Sequence, residues 1–126
     1  MNRKATFEKT GDLLQMNNPV RHWRFQRLTA VALAPLSGWL LVLLDKALHA
    51  PYADTVAWLT APLNGLAIMA WTTAVIYHSA LGVQVVIEDY VSDIALRHRA
   101  ITGVNLAFLI LGAAALLTLF FIFFFR

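Results

Sequence analysis

Residues 101–125 read ITGVNLAFLILGAAALLTLFFIFFF, 25 positions without a charged side chain. About 20 predominantly apolar residues suffice for a helix to cross the hydrocarbon core of a bilayer. This run passes that length and has no polar stripe to turn toward water, so it predicts a membrane-spanning helix with a Phe-rich lipid-facing surface. Arg126 then marks the far interface.

Upstream lies EDYVSDIALRHR, residues 88–99, which reads as a short charged connection. Before it, 33 residues from Thr55 to Ile87 contain no Asp, Glu, Lys or Arg. That is too long for one perpendicular span, and Pro62, Asn64 and Gly65 are turn-forming types. The expected division is an interfacial segment near 55–61, with Trp58 at the membrane surface, followed by a span over 63–88. Further back, LTAVALAPLSGWLLVLL (residues 28–44) holds 17 uncharged positions, extended to 28–45 by Asp45 at its edge. Pro35 inside it removes one backbone donor, a loss that membrane helices tolerate where neighbours satisfy the freed carbonyl.

The composition agrees. Of 126 residues, 60% are hydrophobic and 13% charged, against about 25% charged in soluble domains. A small domain has too much surface for its volume to hide that apolar area from water. The expected fold class is an all-α integral membrane protein, with transmembrane helices at 28–45, 63–88 and 101–125. Residues 28–126 form the membrane domain, and residues 1–27 a polar tail with a turn at Asn17-Asn18-Pro19 and a surface helix from His22. The tail is too polar and too long for the start of a signal peptide. The absence of cysteine excludes disulfides, thiolate metal sites and a cysteine nucleophile. The formal charge of +3 reflects basic residues beside apolar runs, which points to membrane orientation and away from nucleic acid.

Orientation follows the basic residues. Arg3, Lys4, Lys9, Arg21, Arg24 and Arg27 precede the first span, and Arg97 and Arg99 follow the second. Lys46 follows the first, and Arg126 the third. The N-terminus is therefore expected in the cytoplasm and the C-terminus outside.

No phosphate loop, metalloprotease helix or serine elbow is present, so chemistry must come from a few polar residues in or near the bilayer. His78, in AVIYHSALGVQVV, falls near mid-membrane, where an ionisable group faces a bundle interior or a cofactor. Three readings stay open from the residue itself: an axial haem ligand, a hydrogen bond between helices, or a proton relay. Ala67, Ala70, Ala74 and Gly82 include i,i+4 spacings that set small side chains near it. Arg27 closes a cluster with Arg21, His22 and Arg24, which suits either lipid headgroups or cofactor carboxylates. Thr29 and Ser37 are expected to bond back to their own helix. Glu88, Asp89 and Asp93 crowd the end of the second span, where the helix dipole gives acids no stabilisation, so each needs another partner. Tyr90 is either an interface anchor or a hydrogen-bond donor to a carbonyl. Polar residues on so few helices imply partner helices, hence a heteromeric bundle.

HWRFQRLTAVAL (residues 22–33) and YHSALGVQVVIEDYV (77–91) together resemble the small hydrophobic membrane-anchor subunits of succinate dehydrogenase, the cytochrome b-containing succinate:quinone oxidoreductases. The likeness is greatest to the bacterial type with two anchor subunits and extends from about residue 20 to the end. The resemblance implies a non-catalytic subunit of the bacterial inner membrane, N-terminus cytoplasmic and C-terminus periplasmic. It implies that His78 is an axial ligand of haem b, shared with a larger cytochrome b anchor subunit. It implies further that Tyr90 hydrogen-bonds ubiquinone beside Asp89, and that Arg27 lies near the haem propionates. The implied partners are that larger anchor, an iron–sulfur subunit, a flavoprotein subunit and the lipid bilayer. The alternatives are the anchor of a quinol:fumarate reductase and a non-redox structural membrane subunit.

Overall fold

The computed structural model describes the backbone of residues 3–125 and the side chains of Lys4 and of residues 20–125. Arg126, and the side chains of Arg3 and Lys9, lie outside the described residues. Four helices follow one another: α1 (Arg3–His49), α2 (Tyr52–Thr60), α3 (Pro62–Tyr90) and α4 (Ile94–Phe125). Among the described residues there is no strand. Three stretches are long and apolar enough to cross a membrane: Val20–His49, Pro62–Tyr90 and Ile94–Phe125. Each expected span lies inside one of them.

The helix boundaries differ from the sequence reading in three places. The turn at Asn17-Asn18-Pro19 is absent, and α1 runs through it. A proline inside a helix deletes one donor and leaves the carbonyl one turn back without its usual partner, but the helical backbone continues past it. The interfacial segment begins earlier, at Tyr52, and ends at Thr60. Its end is set by Pro62, which disfavours helical backbone at Ala61; that residue is extended, with φ −62° and ψ 133°. Pro62 itself then opens α3, where a missing N–H costs nothing.

The third difference is in the charged connection, most of which is helical; only residues 91–93 are not. Asp93 explains the restart. Its Oδ1 accepts from the backbone N–H groups of Ala95 (2.9 Å) and Leu96 (3.2 Å), an N-cap for α4. The acid that had no use at the end of α3 thus serves the start of the next helix, where the dipole favours it. Arg97 Nε donates to the carbonyl of Val91, the first residue beyond α3, at 2.8 Å.

α3 is the central helix, packed against both α1 and α4. On α1, Gln26, Thr29 and Ser37 meet Gly82, His78 and Trp71 of α3, so the two run antiparallel. On the other side, Gly65 meets Phe123 and Gly112 meets Ile76, so α3 and α4 are antiparallel too. The buried residues are few and central: Gly65, Ala67, Ile68, Thr72 and Leu81 of α3, with Gly112 of α4. Leu109, Leu117 and Phe121 of α4 and Leu41 of α1 point outward. Such apolar exteriors are stable only against lipid or partner helices.

Candidate functional site: His78 and the end of α3

His78 sits on the face of α3 that meets α1 and is half-buried there. Its Nδ1 is 3.1 Å from Oγ1 of Thr29. The same hydroxyl lies 2.8 Å from the carbonyl oxygen of Phe25 and 3.0 Å from that of Gln26. One hydroxyl has one proton to give. If Thr29 gave it to the imidazole, its oxygen would face the two carbonyl oxygens with no hydrogen between them. The proton therefore goes back to the α1 carbonyls, and His78 Nδ1–H donates to Oγ1. This assigns the tautomer: the Nε2 lone pair is left available, with no hydrogen-bond partner among the described residues. A neutral imidazole in that form is the form that ligates iron, so the donor chemistry at this position fits an axial haem ligand. Among the described residues no group of three or more His, Asp or Glu side chains gathers as a metal cluster; a single axial nitrogen needs none.

The surroundings of His78 are only partly those expected. Gly82 lets Gln26 approach, with Nε2 lying 4.0 Å from where a β-carbon would stand. Ala70, by contrast, lines a groove toward α4 together with Ala113 and Phe120. The small residues thus serve both neighbours of α3. Tyr77, beside His78, meets the ring of Phe25 edge-on, with centroids 6.0 Å apart.

The other three predicted residues do not gather around His78. Tyr90 is the last residue of α3, 84% exposed. It stands about 18 Å from His78 along the helix at 1.5 Å per residue. Asp89 is exposed beside it. Arg27 is exposed as well, its guanidinium 5.5 Å from the centre of the Trp23 ring. It lies two residues before Thr29, about 200° around α1, and so faces away from α3. The antiparallel packing nevertheless puts Arg27, Asp89 and Tyr90 at the same end of the bundle. His22 leaves the arginine cluster and borders a groove of about 730 Å³ with Gln84, Asn105 and Tyr77.

Ser37 was expected to bond within its own helix, but its Oγ accepts from Trp71 Nε1 at 3.1 Å, tying α1 to α3. This link, the Thr29 contact and the Asp93 cap carry structural weight that the sequence reading missed. Only the last had a local signal, an Asp directly before a helical run.

The family model for the "Succinate dehydrogenase/Fumarate reductase transmembrane subunit" matches residues 2–121. The chain belongs to that family. A curated relative from Rickettsia felis, a "Succinate dehydrogenase hydrophobic membrane anchor subunit", is 35% identical over 108 residues, covering 83% of this chain and 88% of the relative. One of the same description from Rickettsia conorii is 34% identical over 119 residues, covering 94% of each. No solved structure gives a significant match. The chain is thus a multi-pass membrane protein and a non-catalytic anchor subunit of a succinate dehydrogenase/fumarate reductase-type complex.

Proposed function

We propose that the chain anchors a succinate:ubiquinone oxidoreductase in a bacterial inner membrane, holds haem b through His78 and helps form the ubiquinone site through Tyr90. The observation that carries the haem reading is the Thr29–His78 contact, which leaves Nε2 with its lone pair. When bound, haem supplies a one-electron redox centre; the chain's part is to hold and orient it. A larger cytochrome b anchor subunit would supply the other ligand. Arg27, at the end where α1 leaves the apolar run, pairs with carboxylates outside this chain's own bundle, the haem propionates among them.

Tyr90 donates its phenolic hydrogen to a quinone carbonyl. As the quinone is reduced, negative charge grows on that oxygen and the bond strengthens. Asp89 orients the site through nearby arginines. The exposure of Tyr90 supports a pocket completed by other subunits, which are the larger anchor and the iron–sulfur subunit, with the flavoprotein beyond. Residues 1–27 and the α3–α4 link face the cytoplasm, where the soluble subunits dock, and residues 28–126 form the membrane anchor domain. The likeness to succinate dehydrogenase anchor subunits favours succinate oxidation over the fumarate-reducing direction.

The test uses the whole complex, purified in mild detergent. His78→Ala should alter or abolish the low-spin haem spectrum. Tyr90→Phe should keep assembly and haem but slow quinone reduction. A hydrogen bond to a charged group is worth about 1.5–3 kcal/mol, or roughly ten- to a hundredfold in rate. Succinate oxidation with an acceptor that bypasses the quinone should hardly change. A parental spectrum in the first variant, or a parental quinone rate in the second, overturns the corresponding assignment. A complex without flavoprotein, haem or quinone would point to a structural membrane subunit.

A further inference from the structure

We infer that Thr29 is a positioning residue for the His78 ligand, setting its tautomer, its ring orientation and its basicity through an Nδ1–H···Oγ1 hydrogen bond. The inference rests on the haem reading above and adds to it a residue from a different helix. Three distances carry it: 3.1 Å from Oγ1 to Nδ1, and 2.8 and 3.0 Å from Oγ1 to the carbonyl oxygens of Phe25 and Gln26. Together they use the hydroxyl's one proton and one of its two lone pairs. Its proton is held by the preceding turn of α1, and its lone pair is aimed at α3.

Two consequences follow from this geometry. First, the hydroxyl is held by its own helix, so it cannot rotate to offer its proton to the imidazole. The alternative tautomer, with the lone pair on Nδ1, would leave Oγ1 against two carbonyl oxygens without an intervening hydrogen. The ring therefore presents Nε2 before any ligand arrives, and no reorganisation is needed at binding. Second, a ring N–H donated to an acceptor puts more electron density on the opposite nitrogen, which makes the ligand more basic and favours ferric over ferrous iron. The acceptor is itself a donor to a carbonyl, so the chain of hydrogen bonds polarises each member. Thr29 thus lowers the potential of the bound iron without touching it. The same contact fixes the ring plane, since the imidazole can make it in only one rotation about its Cβ–Cγ bond.

The experiment compares three variants of the complete complex: Thr29→Val, which keeps the shape and deletes the hydroxyl; Thr29→Ser, which restores it; and His78→Ala. Each is examined by haem content, low-spin EPR g values and redox titration of the haem. Thr29→Val is expected to assemble, to shift the midpoint potential upward and to move the g values, while Thr29→Ser returns both to the parental position. Loss of haem in Thr29→Val with retention in Thr29→Ser supports the inference equally, because Val keeps the shape without the hydroxyl and Ser keeps the hydroxyl without the methyl. A potential and g values in Thr29→Val that match the parent overturn it. Equal loss of haem in the Val and Ser variants also overturns it, because the effect then comes from packing. A parental spectrum in His78→Ala overturns the haem reading itself, and so separates that failure from a failure of the Thr29 assignment.

Discussion

The two seams of α3 are built on different physics. Toward α1 the contacts are polar and directional: imidazole to hydroxyl at Thr29–His78, and indole to hydroxyl at Ser37–Trp71, each at 3.1 Å. Toward α4, among the described residues, no hydrogen bond joins the helices. Glycine instead lets apolar side chains come close, at Gly65–Phe123 and Gly112–Ile76. In lipid there is little hydrophobic drive between helices, so adhesion comes from close packing of small residues, with hydrogen bonds adding modestly. The α4 seam supplies adhesion. The α1 seam supplies rotational register, because a hydrogen bond tolerates little rotation of one helix about its axis. That division suits the candidate site: His78 lies on the seam that fixes angle, and the other seam holds the frame.

Gly65 offers the strongest way to break the comparison. A β-carbon there would lie 2.5 and 2.7 Å from two ring carbons of Phe123 and 2.8 Å from the carbonyl oxygen of Leu59. The ring can swing away, but the carbonyl is backbone and moves only with α2. Gly65→Ala should therefore cost about 1–3 kcal/mol, the usual range for overpacking. Thermal unfolding of the complex in detergent would read it, and an unchanged midpoint would show that the junction of α2, α3 and α4 at Gly65 is looser than its geometry. A smaller effect is expected from Trp71→Phe, which deletes the indole N–H and keeps an aromatic ring. Interhelical hydrogen bonds in membranes average about 0.6 kcal/mol, and the orphaned Ser37 can turn back to its own helix. If the same unfolding measurement ranks Trp71→Phe above Gly65→Ala, the roles of the two seams are reversed.

The sequence carried much of the fold because its decisive signals are local. Uncharged length announced three spans, and Pro62 marked the break before α3. The register between helices was not legible, because a single chain records what each face contains and not which face it meets. Thr29 and His78 are 49 positions apart, and nothing in either neighbourhood points to the other. The same limit applied to Ser37, whose hydroxyl had a sufficient partner one turn back until the structure placed Trp71 beside it. His78 stood out as a candidate through its depth, whereas its partner Thr29 and its tautomer required the distances. Arg27, Asp89 and Tyr90 stood out through residue type and position at one membrane surface, and the roles proposed for them call on groups that this chain does not contain. Asp93 was misjudged for a simpler reason: it was assigned to the helix it follows, when it caps the one it precedes.

The three-residue link at 91–93 also decides which contacts the chain itself ties together. Joining α3 to α4 through so short and well-capped a connection costs little loop-closure entropy. α1 reaches α3 only through α2 and two breaks in the helical backbone, so its register on α3 is left to the side-chain contacts themselves. The link keeps α3 and α4 neighbours, whereas the hydroxyl of Thr29 meets His78 only because two helices distant in sequence agree on one angle.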